Sequence, residues 1–152
     1  MTRQSSVDKF LQHKTLAIVG VSRSGKKFGN YILKELGKKG VELLVIHPDV
    51  SEIQGHKCIK TISDLPNEIK GLIVSVPPEQ TEKIVIQAKE AGINDIWMQQ
   101  GAASTQAVKF CQENGINVVN DECILMFVEP TGFHKFHCWL WDLLGKLPKQ
   151  TE

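Results

Sequence analysis

No apolar run in this sequence approaches the roughly 20 residues that a membrane-spanning helix requires, and the opening stretch MTRQSSVDKFLQHK lacks the continuous apolar core of a secretion signal. A cytoplasmic protein that does not enter membranes is therefore expected. Excess charge is missing too. Eighteen basic residues against seventeen acidic ones leave a formal charge of +1, so nothing draws the whole molecule to nucleic acid or to an anionic membrane, and any basic site must be local. There is no C-x-x-C pair among the four cysteines Cys58, Cys111, Cys123 and Cys138. Core-packing thiols in a reducing compartment are the expected reading, with no disulfide framework.

At 152 residues the chain suits one domain, with a core over about 14–122 and a helical extension over about 123–148. Short runs rich in Val, Ile and Leu alternate with longer amphipathic stretches, the pattern of a parallel sheet covered by helices on both faces. Strands are predicted at Leu16 to Gly20, Val41 to His47, Gly71 to Val76, Asp95 to Gln99 and Asn117 to Asn120, with a weaker one at Lys57 to Lys60. Helices are predicted at Gly29 to Lys39, Glu79 to Ala91 and Thr105 to Asn114, closing at Gly40, Gly92 and Gly115. Right-handed crossovers give a doubly wound, Rossmann-like α/β fold of strand order 3-2-1-4-5-6, counting the weak strand third. Its crevice opens between the first strand and the Gly71 strand.

Beyond this pattern, Phe133, Phe136, Leu140, Leu143, Leu144 and Leu147 recur at helical spacing, so an amphipathic C-terminal helix is expected over Phe133 to Leu147. It would pack against the sheet edge and the Val7 to Leu11 segment, or against a second copy or another protein. His134, His137 and Cys138, with Cys123, do not have zinc-site spacing, and no metal is expected there. No Ser, His, Asp set suggests a catalytic centre, so no catalytic residue is assigned. His13 and His56 are read as surface residues.

The segment Gly20-Val21-Ser22-Arg23-Ser24-Gly25-Lys26-Lys27-Phe28-Gly29-Asn30 follows a buried strand and opens a helix. Amides at a helix start favour an anion, Ser22 and Ser24 add hydroxyls, and Lys26 and Lys27 add charge, so a phosphate site is expected here. Gly20 is expected to let the ligand approach the backbone, and Gly20→Val to block binding while leaving the fold intact. The spacing is neither G-x-G-x-x-G nor the P-loop motif. NAD-binding domains usually end the second strand in Asp or Glu. Here it ends Val45-Ile46-His47-Pro48, with Asp49 beyond the proline, which demotes NAD. Val76-Pro77-Pro78 forms either a stiff surface for an adenine ring or simply the start of the next helix.

In their order, VGVS, FGN, the strand ending HP, GHKCIKTISDLP, VPPE, WMQQGA and GINVVNDEC, spread over Lys14 to Glu122, resemble the CoA-binding domains. These are typified by small stand-alone CoA-binding proteins and by the N-terminal domain of the succinyl-CoA synthetase α subunit. The resemblance implies a Rossmann fold that binds coenzyme A or an acyl-CoA. The pyrophosphate would lie near Gly20, Val21, Ser22 and the helix start at Phe28, Gly29 and Asn30, and the adenine near Pro48 and Val76 to Pro78, with Gln100 and Gly101 flanking. His47 replaces the usual Asn before the proline. Binding carries over, whereas the phosphohistidine chemistry of the synthetases belongs to a separate domain. A small NAD(P)-dependent oxidoreductase or redox sensor, and a scaffold with a vestigial nucleotide site, are the competing functions. Cys123, following the last strand, is the cysteine expected nearest the ligand and able to form a mixed disulfide with the CoA thiol.

Overall fold

A computed structural model describes residues 4–127, and the Phe133 to Leu147 stretch with His134, His137, Cys138, Trp139 and Trp141 lies outside them. Along the chain run α1 (Gln4–Leu11), β1 (Thr15–Val19), α2 (Phe28–Lys38), β2 (Glu42–Ile46), β3 (Glu52–Ile53), β4 (His56–Ile59), β5 (Gly71–Val74), α3 (Pro78–Glu90), β6 (Asp95–Gln99), α4 (Thr105–Glu113) and β7 (Asn117–Glu122).

The strands form one sheet of order β3-β4-β2-β1-β5-β6-β7. Six of them are parallel and stand in the expected 3-2-1-4-5-6 order. Two-residue β3 is the addition, an antiparallel edge pairing with β4. Its tight turn places Gln54 and Gly55 at φ 51° and 81°, the left-handed pair that a two-residue hairpin demands.

Period-two burial divides the interior into two layers. Leu16 and Ile18 of β1 join Val7 and Phe10 of α1 and Ile32, Leu33 and Leu36 of α2 on one face. Ala17, Leu72, Val74, Ile96 and Met98 join Ile84, Val85 and Ala88 of α3 and Ala107 and Cys111 of α4 on the other. Trp97 is fully buried, edge-on to Phe10 at 5.4 Å and to Phe127 at 5.6 Å. Its Nε1 donates to the Glu122 carbonyl at 3.1 Å, satisfying the one polar atom of the ring. Thus α1, at the Val7 to Leu11 segment, packs on the sheet itself, against β6 and β7. No helix among the described residues is long and apolar enough to cross a membrane.

Candidate functional site

Parallel register sets the carboxyl ends of the central strands level with one another. Val19 pairs with Ile46 on one side and Val74 on the other, and Val74 pairs with Met98. The residues that follow, Gly20, His47 and Ser75, therefore leave the sheet side by side, next to Gln99 at the end of β6 and at the switch point where chain direction diverges. This brings the ends of the glycine-rich loop, the His47-Pro48 turn, the Val76-Pro77-Pro78 turn and the Gln100-Gly101 turn to one edge of the sheet.

The loop after β1 is held from within. Gly20 has φ +112°, and a Cβ on it would lie 2.1 Å from the Ser75 carbonyl oxygen. A Cβ on Gly29 would lie 2.3 Å from the Gly20 carbonyl oxygen. The first glycine thus accommodates strand β5, and the second lets α2 close onto the loop. Asn30, 3% exposed, clamps the loop with its side chain. Its Oδ1 accepts from the Ser22 amide at 2.9 Å, while Nδ2 donates to the Ser22 carbonyl at 2.8 Å and to Gln54 Oε1 at 2.7 Å. The Ser24 amide donates to Ser22 Oγ at 3.1 Å and the Gly25 amide to the Ser22 carbonyl at 3.2 Å, closing a tight turn.

One expectation is corrected by these contacts. The space beside Gly20 is filled by the protein's own backbone, so Gly20→Val cannot leave the fold intact. Val21, 5% exposed, is a core side chain. The Ser22 amide is already taken by Asn30. What remains for an anion is the start of α2, which no side chain caps at Lys27. The Asn30 amide donates to the Lys27 carbonyl at 3.0 Å, which leaves the first two amides of the helix, at Phe28 and Gly29, as those without an intrahelical acceptor. Lys26 and Lys27 are exposed beside them.

At His47, Nδ1 accepts from the Asp49 amide at 3.2 Å. Asp49 is exposed. Of the two readings of Val76-Pro77-Pro78, the helix-start one is observed, with Pro77 at the N-cap and Pro78 in the first turn of α3. Pro77 is nonetheless exposed, with Val76 and Pro78 half-buried, which leaves a rigid apolar edge at the crevice. Gly101, φ +87°, turns the chain so that the Ala102 amide reaches the Gln99 carbonyl at 2.8 Å.

A family model described as the CoA binding domain matches residues 14–129, most of the chain. This protein belongs to the CoA-binding domain family. The uncharacterized protein YneT of Bacillus subtilis is 25% identical over 122 residues, covering 80% of this chain and 90% of that one. The α subunit of acetate–CoA ligase (ADP-forming) II from Pyrococcus furiosus is 22% identical over 129 residues, 78% of this chain but 28% of the subunit. This CoA-binding domain thus spans little more than a quarter of that ligase subunit. Among solved structures, a conserved hypothetical protein from Pyrococcus furiosus is 35% identical with a TM-score of 0.70, covering 75% of this chain and 97% of that one. A hypothetical protein from Pyrococcus horikoshii is 26% identical with a TM-score of 0.74, over 82% and 88%.

Within this CoA-binding domain, several polar residues occupy positions the sequence did not announce. Cys123 is 2% exposed, and burial pushes its thiol above the usual range, with hydrogen bonds from Gln99 and the backbone of Leu125 and Met126 opposing. A buried, protonated thiol is a poor nucleophile, so the expected mixed disulfide with CoA at Cys123 is withdrawn. Cys111 is fully buried and pushed up to about 12. His13 is not a surface residue, because its Nε2 pairs with buried Asp95 at 2.6 Å, at the opposite end of the strands from the crevice. Gln54, Glu35 and Glu122 were not foreseen. Gln54 and Glu35, with Gly25, Lys26, Lys27, Phe28, Asn30, Tyr31 and Lys34, line an 810 Å³ groove running from the start of α2 along the helix.

Proposed function

We propose that this chain binds coenzyme A or an acyl-CoA without itself carrying out a reaction. The pyrophosphate meets the free amides at the start of α2, Ser22 Oγ and the Lys26 and Lys27 side chains, and the adenine lies by Pro48 and the Val76-Pro77-Pro78 edge, with Gln100 and Gly101 flanking. The observation that carries this reading is the uncapped start of α2 beside two exposed lysines, in a chain that belongs to a family of CoA-binding domains. An uncapped helix start has unpaired N–H groups and the positive end of the helix dipole, the combination that takes phosphate. NAD is disfavoured because β2 delivers no carboxylate to its end, where Nδ1 of His47 is turned onto the Asp49 amide.

Thermal unfolding with CoA, acetyl-CoA, NAD and NADP tests the reading. CoA at 100 times its dissociation constant should add about 2.7 kcal/mol to stability, while NAD at the same concentration should shift nothing. Stabilisation by NAD alone, or by both alike, would overturn it. A second expectation concerns charge. The net charge of +1 supplies no general attraction to a ligand carrying a pyrophosphate and a 3′-phosphate, so local cations must contribute. Changing Lys26 and Lys27 together to Gln should weaken CoA binding by about 1 kcal/mol and flatten its dependence on salt, as read by calorimetric titration. Unchanged affinity and salt response would leave the phosphates to the backbone alone.

A further inference from the structure

The 810 Å³ groove continues past the phosphate-binding start of α2, and its volume falls within the ~300–1,000 Å³ of small-molecule sites. Phe28, Tyr31 and Glu35 follow one another at spacings of three and four, a single stripe down the helix. The two rings meet edge to face at 5.9 Å and give the groove an apolar wall. Glu35 comes next and is 4% exposed. One carboxylate oxygen faces Lys38 at 3.7 Å, while the other, Oε2, has no hydrogen-bond partner. A buried acceptor left unpaired is costly, and the last torsion of a glutamate turns easily enough to present that oxygen to the groove. Gln54 lines the same groove, and with its Oε1 accepting from Asn30 Nδ2 its amide nitrogen is the group it can offer as a donor. Passing along the groove, a ligand meets cations, then an apolar wall, then an acceptor and a donor.

We propose that this groove holds the pantetheine arm of coenzyme A, with Glu35 accepting one of its amide or hydroxyl hydrogens. The proposal rests on the CoA reading above and adds the direction in which the ligand leaves the crevice. Next to its pyrophosphate the arm has a gem-dimethyl group, which suits Phe28 and Tyr31. Beyond that it has a hydroxyl and two amides, each amide offering one donor and one acceptor, which suits Glu35 and Gln54.

Tyr31 is the single tyrosine of the chain, so its labelled ring is a unique reporter in the unmodified protein. In NMR spectra CoA should shift the Tyr31 ring signals, and adenosine 3′,5′-bisphosphate, which lacks the arm, should bind and leave them in place. Calorimetry on Glu35→Leu should show CoA affinity reduced about tenfold with bisphosphate affinity unchanged. Glu35→Gln, which keeps an acceptor oxygen, should restore most of the difference. Ring signals that respond to both ligands alike, or to neither, overturn the proposal, as does a Glu35→Leu change that weakens both ligands equally. Failure of the unmodified protein to bind CoA would remove the underlying CoA reading as well, whereas CoA binding with a silent Tyr31 removes the groove alone.

Discussion

Gly20→Ala is expected to lose a large part of its folding stability, far more than Gly25→Ala. At Gly20 an added methyl would lie 2.1 Å from the Ser75 carbonyl oxygen and 2.6 Å from its carbon. Neither partner is free to retreat. The Ser75 amide donates to the Val19 carbonyl at 2.9 Å, and Val19 is paired in register with Val74. On the other side Gly29 abuts the Gly20 carbonyl, so a shift of the loop away from β5 runs into α2. The backbone itself, at φ +112°, lies where side-chain-bearing residues rarely go. Strain of that kind costs about 1–3 kcal/mol and overpacking about 1–3 more, together a large part of the ~5–15 kcal/mol that holds a typical domain. Gly25 also has a positive φ, +76°, but a methyl there meets nothing within 4 Å, so its substitution should cost about 1 kcal/mol. Urea unfolding followed by circular dichroism separates the two. If Gly20→Ala unfolds at the midpoint of the parent, the close approach to Ser75 is not a constraint on the fold.

That contrast also shows where the sequence is readable and where it is silent. The six parallel strands and their order follow from apolar runs and helical spacing, which are local signals, and the element ends fall within two residues of the expected ones. The glycine-rich loop is legible for the same reason. The partner of Gly20 is not, because Ser75 is 55 positions away and only the finished sheet brings it near. Asn30 looks like a ligand contact from its place in FGN, yet its side chain is spent on Ser22 and Gln54. Two-residue β3 has no apolar run to announce it, and its one local sign is the Gln54-Gly55 pair between Ile53 and His56. His13 reads as exposed because the buried Asp95 that holds it is distant in sequence.

The second large effect is a pH dependence of stability carried by Glu122, at the end of β7. The polar run Asn120–Glu122 suggests an exposed strand end, but the register slips between Met98 and Gln99, which face Asn120 and Glu122 and leave Asp121 as an extra residue. Asp121 takes φ +63°, and the resulting bulge turns Glu122 inward, 8% exposed, with Oε2 lacking a hydrogen-bond partner. Burial, reinforced by the nearby charge of Asp121, raises its pKa from 4.5 to about 7. The folded chain therefore holds a proton between about pH 4.5 and 7 that the unfolded chain has released. Stability contributed by this group is present below pH 4.5, falls as pH rises through that window, and is lost above about 7. A displacement of this size corresponds to at most about 3 kcal/mol. Glu122→Gln removes the charge and keeps the shape, and the backbone carbonyl that accepts from Trp97 is untouched. It should match the parent near pH 4.5, exceed it by about 1–3 kcal/mol at pH 8, and lack the parent's decline between those limits. For a chain of this length that is a rise in melting temperature of about 2–4 °C per kcal/mol at pH 8. Coincident pH profiles for parent and variant would show that Glu122 does not titrate in its bulge with a raised pKa, and would count against the inward orientation of its carboxyl group.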